Sequence, residues 1–205
     1  DGGDETIKNT TNIIRVQDHE SEPLQYIGIE ARNETEEFIA GDITDEQGKI
    51  VFVLYKDQLI YYIANFKGIG SSTTYHYTQT YITPKNVTIT KPETATNLKI
   101  KTESNKMQSV MGQIYDSQTN KQLGYFQDGG SIDGMVFDHH LKQGQKFYFN
   151  ITIYGGVGIK TINSETITAP KNITINIDDQ TYEVENELQS LSVYSRIINW
   201  FKNLF

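Results

Sequence analysis

Apolar and polar residues alternate along most of this chain in short runs separated by turn residues. A period of two predicts half-buried strands rather than helices. The first half predicts strands at Asn12–Asp18, Tyr26–Arg32, Glu37–Ala40, Ile50–Tyr55, Gln58–Ala64, Tyr75–Ile82, Asn86–Thr90 and Leu98–Thr102. The second half predicts Gln108–Asp116, Gln122–Phe126, Gly134–Phe137, Lys146–Ile153, Lys160–Ile167, Asn172–Ile177 and Tyr182–Val184. Nothing between them leaves room for crossover helices, so mainly antiparallel sheets are expected. The end of the chain changes period. In Glu187–Phe205, Leu188, Leu191, Tyr194, Ile197, Ile198, Phe201, Leu204 and Phe205 recur at spacings of three and four. That spacing predicts an amphipathic helix.

The strand pattern is written twice. Tyr81–Thr90 (YITPKNVTIT) returns as Ile167–Asn176 (ITAPKNITIN), with Pro84 and Pro170 at an offset of 86. Upstream, Phe66-Lys67-Gly68-Ile69-Gly70 faces Tyr154-Gly155-Gly156-Val157-Gly158 at an offset of 88, and Leu59–Ile63 faces Lys146–Asn150 at 87. The modules are read as opening with Val16-Gln17-Asp18 and Ile114-Tyr115-Asp116, at an offset of 98. A repeat of this length marks a tandem array. The expected organisation is a flexible tail over 1–11, a β-sandwich over 12–103, a second over 107–186, and the helix over 187–205. The fold class is therefore all-β: two tandem antiparallel Ig-like sandwiches plus a C-terminal helix.

Composition narrows the function classes. Tyr is abundant (13 residues) beside one Trp, and Thr, Ile and Val are plentiful, which is strand chemistry. A net charge of −8 without a basic tract argues against nucleic-acid binding. The absence of Cys excludes disulfides, thiolate metal sites and thiol nucleophiles. No apolar run approaches the ~18 residues of a spanning helix. The Met-less start Asp1-Gly2-Gly3-Asp4-Glu5 is expected of a processed or truncated chain. Asn-x-Thr sequons at Asn9, Asn33, Asn86, Asn150 and Asn172 are candidate glycosylation sites of an extracellular protein. The competing explanation is a Thr-rich β protein whose turns need Asn.

Candidate chemistry is sparse. Asp138-His139-His140 is the one cluster of ligand types, but adjacent strand residues face opposite ways, so only Asp138 and His140 share a face. His76 lies in an alternating strand, and no nucleophile elbow accompanies it. Asp42, Asp45 and Glu46, then Asp128 and Asp133, then Asp178 and Asp179 make acidic turns. These allow calcium as an alternative to a cofactor-free protein, but no D-x-D-x-D-G loop is present and turn formation explains them better. Gly68-Ile69-Gly70 and Gly155–Gly158 lack the helix and Lys of a phosphate loop and are read as edge turns. Tyr61, Tyr62, Tyr75, Tyr77 and Tyr81 suggest a sugar platform, although alternation sends half of them inward.

Val16-x-Asp18, Pro23-Leu24, Thr44-Asp45-Glu46-Gln47-Gly48-Lys49-Ile50-x-Phe52-x-Leu54 and Tyr61-x-Ile63 resemble the transthyretin-like sandwiches of carboxypeptidase regulatory domains and surface-protein repeats. Module two keeps Gly112–Ser117, Leu123, Asp133-Gly134, Phe137, Leu141 and Tyr148 but replaces the acidic turn with Asp128–Gly134. The Asn- and Thr-rich, Cys-free style is also similar to archaeal surface and virion proteins. The resemblance implies an extracellular spacer, adhesive or assembly module without catalysis. The expected function is a structural subunit of a surface layer, filament or virion. An adhesin or carbohydrate-binding module is the alternative. Partners are expected to be copies of itself or other surface proteins. Tyr194, Ile197, Ile198, Trp200, Phe201, Leu204 and Phe205 would meet a partner or, less favoured, a membrane surface. Thr6–Val16 is expected to be free to add to a neighbour's sheet edge.

Overall fold

The computed structural model describes residues 8–103, 108–155 and 158–185. The expected helix at 187–205, with all its contact candidates, lies outside the described residues. The described residues are all-β. In chain order the first half contributes β1 (Asn9–Gln17), β2 (Gly28–Asn33), β3 (Phe38–Ile43), β4 (Lys49–Tyr55), β5 (Leu59–Lys67), β6 (Ser72–Tyr77), β7 (Tyr81–Ile82) and β8 (Val87–Thr90). There follow β9 (Thr96–Lys101), β10 (Gln108–Asp116), β11 (Gln122–Gly130), β12 (Val136–His139), β13 (Lys146–Gly155), β14 (Gly158–Asn163), β15 (Ile167–Thr168), β16 (Asn172–Asn176) and β17 (Thr181–Val184).

Three sheets result. Two are small, in the orders β4-β1-β8 and β12-β9-β16-β17. The third runs β14-β13-β10-β11-β6-β5-β2-β3, with β15 and β7 pairing β13 and β5. Most pairs are antiparallel, but β1–β8 and β9–β16 are parallel, because the chain returns to lay a late strand beside an early one. Alternation decides what faces inward. In β4, Ile50, Phe52 and Leu54 are buried while Val51, Val53 and Tyr55 are exposed.

The core separates into two clusters. One gathers residues between Ile14 and Ile89, around Tyr62 and Phe66. The other gathers residues between Leu98 and Ile177, around Phe126, Phe137, Phe147 and Phe149. Each cluster fills the space between one small sheet and one half of the long sheet, a sandwich-like arrangement.

The repeat extends to hydrogen bonding. Tyr62 N donates to Thr78 Oγ1 at 2.9 Å, and Phe149 N donates to Ser164 Oγ at 2.9 Å. Pro84 and Pro170 both follow cis bonds. Four expectations need correction. Leu98–Thr102 was expected to close the first module, but β9 pairs β12 and β16 and fills the place that β1 holds between β4 and β8. The match of Val16–Asp18 to Ile114–Asp116 therefore aligned the wrong strands. Its cause is a shared turn device: Asp18 Oδ1 accepts from Glu20 N and Glu22 N, as Asp116 Oδ1 does from Gln118 N and Thr119 N. The tail over 1–11 is likewise too long, since β1 begins at Asn9. β1 already pairs β4 over Asn9–Arg15 and β8 over Ile14–Gln17, so Asn9–Val16 is built into its own sheet rather than left free as a donor strand.

Candidate functional site

The two halves meet where β11 of the second lies against β6 of the first, pairing Gly124, Tyr125 and Phe126 with Thr74, Thr73 and Ser72. Small residues permit this approach. A Cβ on Gly124 would meet Thr73 O at 2.5 Å, and one on Gly68 would collide with Asp138 and Ser72. Gly70 has φ +66°, and its Cβ would meet the Phe137 ring at 2.8 Å. The edge turn read from Gly68-Ile69-Gly70 is thus the seat of the junction.

The only ligand-type cluster in the sequence sits at this seam. Asp138 Oδ1 accepts from Ile69 N, and Ser72 Oγ donates to Asp138 O at 2.7 Å. His140 N donates to Thr74 Oγ1 at 3.1 Å, and His76 Nε2 lies 2.6 Å from His140 O. Asp138 and His140 share a face, 3.6 Å apart, while His139 points into the second core beside Phe126. Burial depresses His76 to about 4, against the pull of its contact with His140 O. Burial also depresses His139 to about 4, with the Asp138 charge opposing. Both rings are held neutral. Among the described residues no group of three or more His, Cys, Asp or Glu is placed to hold a metal ion. The acidic turns spend their oxygens on the backbone: Asp45 Oδ1 accepts from Gln47 N and Lys49 N, and Asp133 Oδ1 from Thr102 N.

Over the same seam, on the outer face of the long sheet, lies a groove of about 560 Å³. Tyr61, Tyr75 and Tyr77 line it from the first half. Tyr62 points into the core instead, and Tyr81 packs against that core. The second half adds Tyr115, Asn120 and Lys121, which alternation within one half could not reveal. Lys121 Nζ stands 4.9 Å from the Tyr61 ring centroid and 5.4 Å from that of Tyr77, a cation–π arrangement. Arg32 is bound twice by Glu30 Oε2, at 2.7 and 3.1 Å, which raises its already high pKa. Desolvation pushes the Tyr77 phenol up to about 12, and its hydroxyl donates to Gln122 O at 2.7 Å. Polar side chains around the half-buried rings of Tyr75, Tyr77 and Tyr115 make a surface suited to hydroxyl-rich ligands, while Tyr61 is buried.

The sequon asparagines divide. Asn9, Asn86, Asn150 and Asn172 are exposed, and Asn33 is half-buried. Asn33 Oδ1 accepts from Thr35 N and Glu37 N, and Asn86 Oδ1 accepts from Ile13 N, so these two also organise the backbone.

No family model matches the chain, and no curated protein matches it. Among solved structures, the major pilin subunit BcpA of Bacillus cereus is 8% identical, with 81% of this chain and 71% of that one covered and a TM-score of 0.33. The shaft pilin spaA of Lactobacillus rhamnosus GG is 11% identical, with 82% and 96% covered and a TM-score of 0.33. A streptococcal ancillary pilin is 10% identical, with 84% and 63% covered and a TM-score of 0.28. Likenesses this remote carry no argument about this chain.

Proposed function

We propose that this chain is a non-catalytic structural subunit of an extracellular assembly. It comprises two sandwich units, residues 8–90 and 96–185, fused edge to edge. The carrying observation is the use of the Asp138-His139-His140 cluster. The Asp138 carboxylate, the Asp138 carbonyl and the His140 N–H all bond across to the first half, so the residues that most resembled a reaction centre serve architecture. The exposed sequons fit a secreted subunit. The segment 187–205, amphipathic by sequence, is the proposed attachment element. Sedimentation velocity over a wide concentration range tests the reading. Concentration-dependent growth into larger species is expected, and a single monomeric species throughout would overturn it.

A second reading is favoured by the groove alone. Its tyrosines, Arg32 and Lys121 offer stacking faces and charged donors of the kind that hold carbohydrate. Binding on a glycan array that disappears in Tyr75→Ala and Tyr77→Ala would support it, and an array without signal would remove it.

A further inference from the structure

The internal seam is asymmetric. It joins the β11 edge of one unit to the β6 edge of the other. Each unit carries both kinds of edge. By position in the repeat, β3 corresponds to β11 and β14 corresponds to β6. Among the described residues β3 and β14 are the two ends of the long sheet, and neither pairs a strand on its outer side. A heterologous contact that does not close on itself propagates.

We infer that β3 of one copy pairs antiparallel with β14 of the next, repeating between chains the seam that joins the halves within one. This rests on the assembly reading above and names its partner, a second copy of this chain. The register follows from the ladders. Ala40, Gly41 and Asp42 hold the places of Gly124, Tyr125 and Phe126. Lys160, Ile159 and Gly158 hold those of Thr74, Thr73 and Ser72. The seam between chains is therefore Ala40 opposite Lys160, Gly41 opposite Ile159 and Asp42 opposite Gly158.

The surfaces suit this contact. Ile159 is 70% exposed on β14, and Phe38, 60% exposed, lies over Gly41 on β3. Pairing sets Ile159 over that glycine and beside the ring. Asp42 and Lys160 become diagonal neighbours of opposite charge, within reach of a long side chain. On β4, Val51 and Val53 stand where Asp138 and the following His140 stand in the second half. Val53 is 66% exposed. The polar lock of the internal seam becomes an apolar one between copies, which accounts for the exposed Val51-Val53-Tyr55 stripe on β4. Long apolar edges of this kind are normally blunted unless used.

The chain lacks Cys, so introduced pairs report cleanly. Ala40→Cys and Lys160→Cys chains, mixed and oxidised, should give a disulfide dimer that neither chain forms alone. The double variant should give a ladder of multimers. Ile159→Asp, at an exposed position, should keep the circular dichroism and melting of the parent but lose self-association at least tenfold. Assembly of the parent with no Ala40–Lys160 cross-link, and unchanged assembly of Ile159→Asp, would overturn this seam and leave the assembly reading standing. Self-linking of Ala40→Cys alone as efficient as the mixture would replace it with a symmetric contact. A monomeric full chain beside an assembling chain ended at Glu185 would mean that residues 186–205 cover the edge, which overturns the pairing. A parent that is monomeric in both forms would sink both readings.

Discussion

At the scale of single residues, the seam between halves depends on absent side chains. A Cβ at Gly68 has no space between Asp138 and Ser72, and the three atoms it would strike, Asp138 Oδ1, Ser72 Oγ and Asp138 O, are held by hydrogen bonds. Gly68→Val should therefore lower stability by about 1–3 kcal/mol, the usual cost of overpacking. Gly129→Ala, whose Cβ would rest 3.6 Å from Ser109, should stay within about 0.5 kcal/mol. Urea titrations of the two variants make the comparison. The histidines give a second prediction. Unfolded imidazoles protonate near 6.5, whereas folded His76 and His139 do so only near 4. Between these values the unfolded chain binds more protons, so stability rises with pH across the window. The contribution is complete above about 6.5, falls away across the window and is gone below about 4, a loss on the order of 7 kcal/mol for the two rings together. Denaturation midpoints measured from pH 4 to 7.5 should show this slope, and His76→Gln should reduce it. The sequence exposed the Asp-His-His triplet but not its use, because the partners Ile69, Ser72 and Thr74 are neutral residues with no chemical signature.

At the scale of strands, periodicity located most elements and left their partners open. Asn172–Ile177 was legible as a strand because alternation fixes which face is buried, and Ile50–Tyr55 because it is a short apolar run bounded by turn residues. What alternation does not encode is the sheet a strand joins. Leu98 and Ile100 would look the same closing one sandwich or opening the next, and their place is set by distant neighbours, Ile173 and Ile175. The parallel pairs are tied by one buried polar side chain each. Asn12 Oδ1 accepts from Lys85 N at 2.8 Å, and Thr96 Oγ1 accepts from Lys171 N at 3.3 Å. Both side chains are fully buried. Asn12→Leu leaves the Lys85 N–H without its acceptor, at an expected cost of about 1–3 kcal/mol. Equilibrium denaturation of that variant checks the value.

At the scale of the whole molecule, the repeat was legible but the way its copies meet was not. Three ladder positions and a glycine turn make the seam, and their sequence differs little from any hairpin edge. The seam has a thermodynamic signature. Halves coupled through one sheet should unfold together, in a single calorimetric transition. Asp138→Ala removes the side-chain acceptor of Ile69 N while the Ser72 Oγ bond to the backbone O of residue 138 remains, and should resolve two transitions. A parent that already shows two would mean that the seam contributes little.

Lys91–Ala95 alone, between β8 and β9, would make a swivel. With β6 and β11 laced together, the molecule cannot bend at that point without tearing ladder bonds. Tension or torque applied at one end is passed to the other rather than absorbed, so the chain behaves as a stiff strut, and a row of such struts would resist buckling.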